Sequence, residues 1–353
     1  MNALALETAV LSADGNELVI LDQTLLPNEI RYLHLTKKEE IWEAINKLRV
    51  RGAPAIGVAA AYGLYVVART FDCHDSASFI ASLKEAAVYL DSSRPTAVNL
   101  SWALRRMVRK AEENASCAVP ELLDVLRKEA DLIREEDIAI SRSIGEYGFS
   151  LLHHGDGILT HCNAGTLATA KYGTALAPVY MALEHGWKDL RVYCDETRPL
   201  LQGARLSAFE MQTAGVETYL QCDNMVSYTL SKGLVKIIFV GADRVARNGD
   251  FANKIGTSGV AIIAKHYDIP FYCCAPSSSI DMSLSSGSLI PIEERDGSEV
   301  TEMWYSKRMA PEGVKVVNPA FDVTDHSLVT GIITEKGIAY PPFDEAFEKL
   351  GIR

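Results

Sequence analysis

The spacing of apolar residues predicts that the first part of the chain is mainly helical. Thr36-Lys37-Lys38-Glu39 has the form of a helix-capping box, and the apolar residues that follow it share one helical face. Pro54 suits the first turn of a second helix, which we expect to run to about Thr70. The same periodicity predicts further helices at 79–90, 99–113 and 120–145. Ahead of them, residues 1–30 alternate weakly around the turn Asp14-Gly15-Asn16, which predicts a short hairpin-like β start.

From Gly155 onward, short apolar runs alternate with helical patterns. The predicted strands are GILTHC, RVYCDE, VETYL, KIIFVGAD, FYCCAP and VKVVNP, and most are separated by predicted helices, at 166–185, 204–214, 224–232 and 257–267. Strands that alternate with helices are typical of βαβ units and of a parallel sheet covered on both faces. We therefore expect an α/β protein with two domains: a mainly helical N-terminal domain with a short β start over 1–146, and a Rossmann-like parallel-sheet domain over 147–353.

Composition and charge argue against nucleic-acid and membrane partners, a signal peptide and disulfide bonds. The chain carries 35 Lys and Arg against 46 Asp and Glu, a formal net charge of −11, which gives no support to a nucleic-acid or acidic-membrane partner. The N-terminus has no basic segment followed by an apolar run, so we expect no signal peptide, and the longest apolar stretch, Gly57 to Ala68, is too short to span a membrane. The seven cysteines are odd in number and lack metal-ligand spacing, so we expect free thiols in a reducing compartment, the cytoplasm.

Polar and ionisable side chains collect where the predicted parallel strands end, which is where ligands bind in open α/β sheets. Cys162 ends GILTHC and precedes a turn into the helix predicted at 166, whose dipole would favour the thiolate. Asp243 ends KIIFVGAD, the most apolar strand, where partial burial would raise the pKa of its carboxyl and let it carry a proton near neutrality. Taken alone, each residue has an ordinary alternative: Cys162 as a buried structural cysteine, and Asp243 as a carboxylate that caps a turn or pairs with Arg244 or Lys254.

Two further segments indicate a phosphate site. In Arg51-Gly52-Ala53-Pro54, small residues let the backbone approach a ligand, and a helix start presents N–H groups to an anion. Arg94 is a second candidate phosphate ligand, although either arginine could simply be solvated. Asn253-Lys254 would bring a donor and a cation to the sheet edge, but the surrounding GADRVARNGDFANKIGT has neither the GxGxxG nor the GxxxxGK order of a nucleotide site. His161 precedes Cys162, but alternation along the strand predicts that its side chain faces away from the thiol.

Six segments occur together in a specific order: RGAPAIGVAAAYG, SRPTAVNL, LTHCNAG, ETRPLLQGARLSAFE, GADRVARNGDFANKIGT and IPIEERDGSEV. In this order they resemble the methylthioribose-1-phosphate isomerases of the methionine salvage pathway, from about residue 10 to the C-terminus. That family is related to the regulatory subunits of translation initiation factor 2B and to archaeal ribose-1,5-bisphosphate isomerases. GADRVARNGDFANKIGT is shared in outline with these relatives, whereas IPIEER and the Cys162/Asp243 pair point more narrowly to the methylthioribose enzymes.

The resemblance implies an aldose–ketose isomerase that converts 5-methylthioribose 1-phosphate to 5-methylthioribulose 1-phosphate. It also implies a homodimer that needs neither a metal nor an organic cofactor. The catalytic pair of the family corresponds to Cys162 and Asp243. Its substrate-binding positions correspond to Arg51, Gly52, Ala53, Arg94, Gln202, Asn253 and Lys254.

Two alternatives stay open from the sequence. One is an isomerase of the same chemistry on another sugar, ribose 1,5-bisphosphate or 5-deoxyribose 1-phosphate. The other is a non-catalytic regulatory subunit like the initiation-factor relatives, a reading that loss of Cys162 or Asp243 would have favoured. The sequence does not distinguish proton from hydride transfer, and it leaves open whether Glu196, Arg198 and Asp250 act directly or hold the shape of the pocket.

Overall fold

The computed structural model describes residues 3–94 and 98–352. The chain divides into two compact units: Met1–Ala139 with Thr166–Gly173, and Ile140–Gly165 with Thr174–Arg353. A helical N-terminal region is followed by a mostly parallel sheet, which confirms the predicted fold class. The domain boundary at residue 146 stays a prediction, and the helix that contains this residue runs without a break to Phe149.

The first unit opens with a three-stranded antiparallel sheet, which confirms the predicted β start. Its strands are β1 Ala9–Leu11, β2 Leu18–Leu21 and β3 Tyr32–Leu35. The helices that follow are α1 Lys38–Asn46, α2 Ala53–Ala68, α3 Ser76–Asp91, α4 Val98–Glu113 and α5 Val119–Phe149. Every residue of α2 from Ala55 to Ala68 is buried, so this helix forms the centre of the unit's core, as its continuous apolar sequence requires.

The cap of α1 lies one residue later than the sequence predicted. The carboxylate of Glu40, not Glu39, accepts the backbone N–H of Lys37 at 3.2 Å, and Lys37 is the N-cap residue. The apolar face of this helix is otherwise as predicted, because Ile41, Ala44 and Ile45 are buried.

The second unit contains the parallel sheet. Its strands are β4 Gly157–Thr160, β5 Arg191–Asp195, β6 Glu217–Gln221, β7 Ile237–Val240, β8 Arg244–Ala246, β9 Phe251–Lys254, β10 Phe271–Cys274, β11 Ile280–Asp281, β12 Phe321–Thr324, β13 Gly331–Thr334 and β14 Gly337–Ala339. Among the described residues, seven of these strands form one sheet in the order β6–β5–β4–β7–β10–β13–β14, and only β14 is antiparallel to its neighbour. From β6 to β13 this is the strand order of a Rossmann fold, and the order reverses between β4 and β7.

A smaller sheet follows β7 directly. It has the order β11–β8–β9–β12 in the described part of the chain, with β9 antiparallel to both of its neighbours. Because β7 leads through three residues into β8, this sheet begins at the carboxyl end of the central strands.

The helices of the second unit are α6 Ala177–Glu184, α7 Ala208–Thr213, α8 Val226–Ser231, α9 Thr257–His266, α10 Ser298–Thr301 and α11 Phe343–Lys349. The last two were not predicted. The helix predicted over 166–185 is wrong in its first half, where Thr166–Ala168 form a 3₁₀ turn and no α-helix begins before Ala177. The segment 169–176 contains Tyr172 and Gly173 at positive φ, which interrupts a helix. The helix predicted over 204–214 begins as a π-helical turn, Gly203–Ser207.

The predicted strand VKVVNP is also wrong. Only Pro319 of this segment makes a β-bridge, an isolated one with Glu294. Val317 is 85% exposed, so the run is apolar in composition but not part of the core. The strand that follows β10 in the sheet is β13, which the sequence did not predict. No helix in the described ranges is both long and apolar enough to cross a membrane.

Candidate active site

Cys162 and Asp243 follow the two strands that flank the reversal of strand order. Cys162 lies two residues beyond β4, and Asp243 lies three residues beyond β7. The two strands are paired in parallel, with Leu159 opposite Ile238. Ligands of open α/β sheets bind outside the carboxyl ends of the strands at this switch point. The topology therefore places both predicted catalytic residues on the loops where this fold binds its ligands.

The backbone of Cys162 is held in a strained conformation. Its φ of 65° lies in the left-handed region, which costs a non-glycine residue about 1–3 kcal/mol. The Cys162 N–H donates to Thr197 Oγ1 at 2.8 Å, and its carbonyl accepts from Ser207 Oγ at 2.7 Å. Thr197, in the loop after β5, has a φ of 62° itself. Such strain persists only where the surroundings fix it, and it concentrates at functional sites.

The α-helix whose dipole was predicted to activate the Cys162 thiol is not present. The sequence indicated a helix at residue 166, whose dipole would stabilise a thiolate at Cys162. The structure has a 3₁₀ turn of three residues there, too short to supply a helix dipole of that kind. Cys162 is partly exposed, and none of the seven cysteines forms a disulfide bond, as predicted.

Asp243 is exposed, so the prediction that it is partly buried was wrong. Gly241 and Ala242 carry the chain out of the central sheet, and Asp243 precedes the first residue of β8. Its backbone N–H donates to the carbonyl of Ala252 at 2.9 Å. This bond continues the pairing of β8 with β9 and brings Asp243 beside the Asn253 position.

The other predicted substrate-binding residues of this unit lie on the same connected elements. Gln202 is buried directly before the π-helical turn that contains Ser207, and its Oε1 has no hydrogen-bond partner among the described residues. Asn253 and Lys254 are buried at the end of β9. The Asn253 side chain donates to Thr257 Oγ1 at 3.0 Å, and Lys254 Nζ lies 4.1 Å from the centre of the Phe321 ring. A buried amide oxygen without a partner is costly, which favours a ligand there.

The predicted phosphate-binding residues Arg51, Gly52, Ala53 and Arg94 belong to the first unit. Gly52 is the N-cap residue of α2, with a φ of 92°. A Cβ at Gly52 would lie 2.5 Å from Ala168 Cα, so no other residue fits this turn. The backbone N–H of Ala170 donates to Asp137 at 2.6 Å, which fixes the segment that covers Gly52. Arg94 follows α3 at the edge of the undescribed residues 95–97.

A buried network under the Cys162 loop was missed by the sequence analysis. Glu210 is fully buried; it accepts the Tyr180 hydroxyl at 2.9 Å and the side-chain amide of Asn163. Asn163 also donates to Ser207 Oγ at 3.1 Å. A Cβ at Gly165 would lie 2.2 Å from Glu210 Oε1, so this glycine makes room for the carboxylate. Burial, with the neighbouring charge of Glu210, raises the pKa of Tyr180, which therefore stays a hydrogen-bond donor. No spacing in the sequence distinguishes Glu210 from other helical acids.

Known proteins are similar to this chain over nearly its whole length. Residues 49–341 fit the initiation factor 2 subunit family. A methylthioribose-1-phosphate isomerase from Symbiobacterium thermophilum is 59% identical over 98% of this chain and 96% of that protein. A 5-deoxyribose 1-phosphate isomerase from Clostridium botulinum is 53% identical over 95% of both proteins. The crystal structure of 5-methylthioribose 1-phosphate isomerase from Pyrococcus horikoshii superposes with a TM-score of 0.92 at 44% identity, covering 98% of this chain and 95% of that one.

Proposed function

The chain belongs to the initiation factor 2 subunit family, and within it we propose that it is the aldose–ketose isomerase that converts 5-methylthioribose 1-phosphate to 5-methylthioribulose 1-phosphate in methionine salvage. The observation that carries the proposal is the position of Cys162 and Asp243 after the two strands at the switch point. The proposal is supported by two proteins named methylthioribose-1-phosphate isomerase, which are 59% and 60% identical to this chain over 98% and 93% of its length.

Asp243 is proposed as the general acid that opens the sugar ring. The phosphate on C1 prevents the ring from opening spontaneously, so the bond between C1 and the ring oxygen must break while that oxygen gains a proton. Asp243 is exposed in the absence of a ligand, and a bound phosphate dianion and the loss of water would both raise the pKa of its carboxyl. On this proposal, the substrate itself prepares Asp243 for its role.

Cys162 is proposed to act on the hydrogen that moves from C2 to C1 while the C2 hydroxyl becomes a carbonyl. The hydroxyl proton passes to Asp243, which is ionised once it has given its own proton to the ring oxygen. In one route the thiolate removes the C2 proton and returns it to C1 of an enediol-type intermediate. In the other, hydride passes directly from C2 to C1 and the thiolate stabilises the developing positive charge. Turnover in deuterium oxide distinguishes the two, because only the first route exchanges the transferred proton with solvent and places deuterium on C1.

The remaining substrate-binding residues are proposed from the resemblance, and each set is supported within its own unit. In the second unit, Gln202 Oε1 has no partner among the described residues and would accept a sugar hydroxyl, and the buried Asn253 and Lys254 are available as donors to the sugar or its phosphate. In the first unit, Gly52 is the N-cap residue of α2, between Arg51 and Ala53, and a helix start of this kind suits a phosphate.

A panel of 1-phosphorylated pentoses tests the proposed function. We expect ketose formation from 5-methylthioribose 1-phosphate in the presence of a chelator and without nicotinamide, since the proposed reaction uses neither a metal nor an organic cofactor. An apolar site for the methylthio group predicts a kcat/KM at least about tenfold above that for 5-deoxyribose 1-phosphate. A preference for 5-deoxyribose 1-phosphate would support the second candidate, which the relative from Clostridium botulinum favours. Failure to turn over any pentose, including ribose 1,5-bisphosphate, would favour a non-catalytic subunit.

Arg94→Ala tests the phosphate site. Because loss of a charge-assisted hydrogen bond costs about 1.5–3 kcal/mol, we expect KM for the phosphorylated sugar to rise about tenfold to a hundredfold with a smaller change in kcat. Arg109→Ala is the matched control, since this exposed arginine of the same unit pairs with Glu113 at the surface. An unchanged KM in the Arg94 variant would remove this residue from the phosphate site.

The proposal extends to a cytoplasmic homodimer. Analytical ultracentrifugation tests the assembly, and a single species at the monomer mass of 38.6 kDa would contradict it.

A further inference from the structure

His161 joins three elements of the candidate site at one buried point. Its side chain is 1% exposed, and its Nε2 lies 2.8 Å from the carbonyl oxygen of Ile255, the residue after Lys254. Its Nδ1 lies 3.1 Å from Oδ2 of Asp195, the last residue of β5, which is fully buried. His161 itself directly precedes Cys162. One imidazole thus connects the ends of β4, β5 and β9.

The hydrogen-bond partners determine where the protons are. A carbonyl oxygen only accepts, so His161 Nε2 carries a proton and donates to Ile255. The other oxygen of Asp195 accepts from Gln221 Nε2 at 2.8 Å, and the amide of Gln221 accepts the Thr229 hydroxyl in turn. Burial raises the pKa of Asp195, whereas its hydrogen bonds with His161 and Gln221 and the charge of His161 act in the opposite direction. Because Asp195 accepts from Gln221 and faces His161 with its other oxygen, we assign the pair as an ionised carboxylate and an imidazolium that donates from both ring nitrogens.

The charges around His161 support this assignment. Burial alone would lower its pKa, but the hydrogen bond and charge of Asp195, together with the charge of Asp223, outweigh burial and raise the pKa. Asp223 accepts the backbone N–H groups of Thr197 and Arg198 at 2.7 and 2.8 Å. Asp322, on β12, accepts the N–H of Gly256, and the charge of His161 acts on it as well. Three carboxylates on three elements thus face one cation.

We propose that His161 and Asp195 form a positioning pair for the isomerase, which keeps Cys162 and the Asn253–Lys254 end of β9 at fixed places in the site. The inference rests on the proposed function. Neither residue is proposed to touch the substrate. His161 fixes the residue before Cys162 and the residue after Lys254, while Thr197, two residues beyond Asp195, accepts the N–H of Cys162 itself.

His161→Phe removes both hydrogen bonds but keeps a ring of similar size. A misplacement of about 1 Å can cost about 10²-fold in rate, so we expect kcat/KM per folded molecule to fall about 10²-fold, through both kcat and KM. Asp195→Asn is the conservative variant: a neutral imidazole can still donate from Nε2 to Ile255 and accept from the new amide at Nδ1. We expect Asp195→Asn to retain kcat and KM within about threefold of wild type at pH 7, because the geometry survives.

The pH profile gives a readout that a purely structural role would not move. In the wild type, kcat/KM should fall at alkaline pH as the pair loses its proton, because Asp195 is then left ionised beside a neutral imidazole. In Asp195→Asn, burial keeps His161 neutral throughout, so this alkaline limb should be absent. Because the folded-state pKa of His161 is raised, the stability it adds is full below about pH 6.5 and is lost as pH rises through that higher pKa. Unfolding in urea should show this loss in the wild type and not in Asp195→Asn, even if His161→Phe fails to fold.

His154→Phe is the matched control: this exposed histidine pairs with Asp189, and both precede β4 and β5 at the strand ends opposite to the candidate site. The variant should leave kcat, KM and the pH profile unchanged. Carbon-13 and nitrogen-15 NMR of the imidazole rings needs no substrate, and it should show His161 as an imidazolium at pH 7 in the wild type and as a neutral ring in Asp195→Asn. If the wild type shows the imidazolium but turns over no pentose phosphate, the proposed function fails and the ion pair stands. A neutral wild-type ring, or wild-type kcat and KM in folded His161→Phe, would overturn the positioning pair.

Discussion

Cys162→Ser is expected to lower kcat by about 10²–10⁴-fold while KM and the fold change little. A serine hydroxyl has nearly the size of a thiol but is not ionised near neutrality, so it cannot take the proton from C2 or supply a thiolate charge. The strained backbone at φ 65° is the same for both side chains, and the bonds to Thr197 and Ser207 involve only backbone atoms of residue 162. Steady-state kinetics on the proposed substrate, with circular dichroism of the folded variant, measures both effects.

Cys117→Ser is the control for thiol loss in general, since Cys117 is also partly exposed but lies in the first unit, remote along the chain from the strand ends. It should keep wild-type kcat. Cys162→Gly adds a second comparison: glycine adopts positive φ without strain, so this variant should be at least as resistant to urea as Cys162→Ser. Near wild-type kcat in Cys162→Ser would exclude the thiol from the mechanism.

The sequence was sufficient to place Cys162 and Asp243 because both follow continuous apolar runs. Such runs are typical of strands buried on both faces, and parallel strands deliver their following residues to one edge. The pairing of β4 with β7 was not predictable from the sequence, because it joins strands that are about 80 residues apart along the chain. The switch point, which is the strongest argument for the site, therefore came from the structure.

Local sequence was misleading where the chain turns sharply around the site. The segment after Gly165 has helical composition, but tertiary contacts override its propensity: Thr8 donates to the carbonyl of Thr166, and Gln23 to that of Leu167. Carbonyls held by distant side chains are not available to a helix. For this reason, the helix that was predicted to begin at residue 166 and to stabilise a thiolate at Cys162 does not form there.

His161 shows the limit of alternation as a guide to function. Alternation along the strand predicted that the His161 side chain faces away from Cys162. Its hydrogen-bond partners, Asp195 and Ile255, are consistent with that direction. A residue that points away from a ligand can still fix the backbone that carries the reacting group. One partner ends β5 and the other directly follows β9, so only the fold reveals them.

Asp243→Asn is expected to lower kcat by about 10²–10⁴-fold, because an amide has the shape of a carboxyl group but no acidic proton to give to the ring oxygen. The backbone N–H of residue 243 still donates to Ala252, so the pairing of β8 with β9 and the urea midpoint should be unchanged. KM should stay the same or fall, since the amide removes a negative charge from the neighbourhood of the bound phosphate. Kinetics across pH 5 to 9 measures the effect.

The exposure of Asp243 gives this prediction a second test. If substrate binding raises the pKa of its carboxyl, the pH profile of kcat, which reports the enzyme–substrate complex, should show a limb that falls as pH rises, at a higher pKa than the profile of kcat/KM. That limb should vanish in Asp243→Asn. Asp268→Asn is the control, because Asp268 is an exposed aspartate at positive φ, a conformation that asparagine tolerates equally well. The alkaline limb assigned to the His161–Asp195 pair should remain in Asp243→Asn. If Asp243→Asn also keeps the limb whose pKa is higher for kcat than for kcat/KM, another group supplies the proton to the ring oxygen.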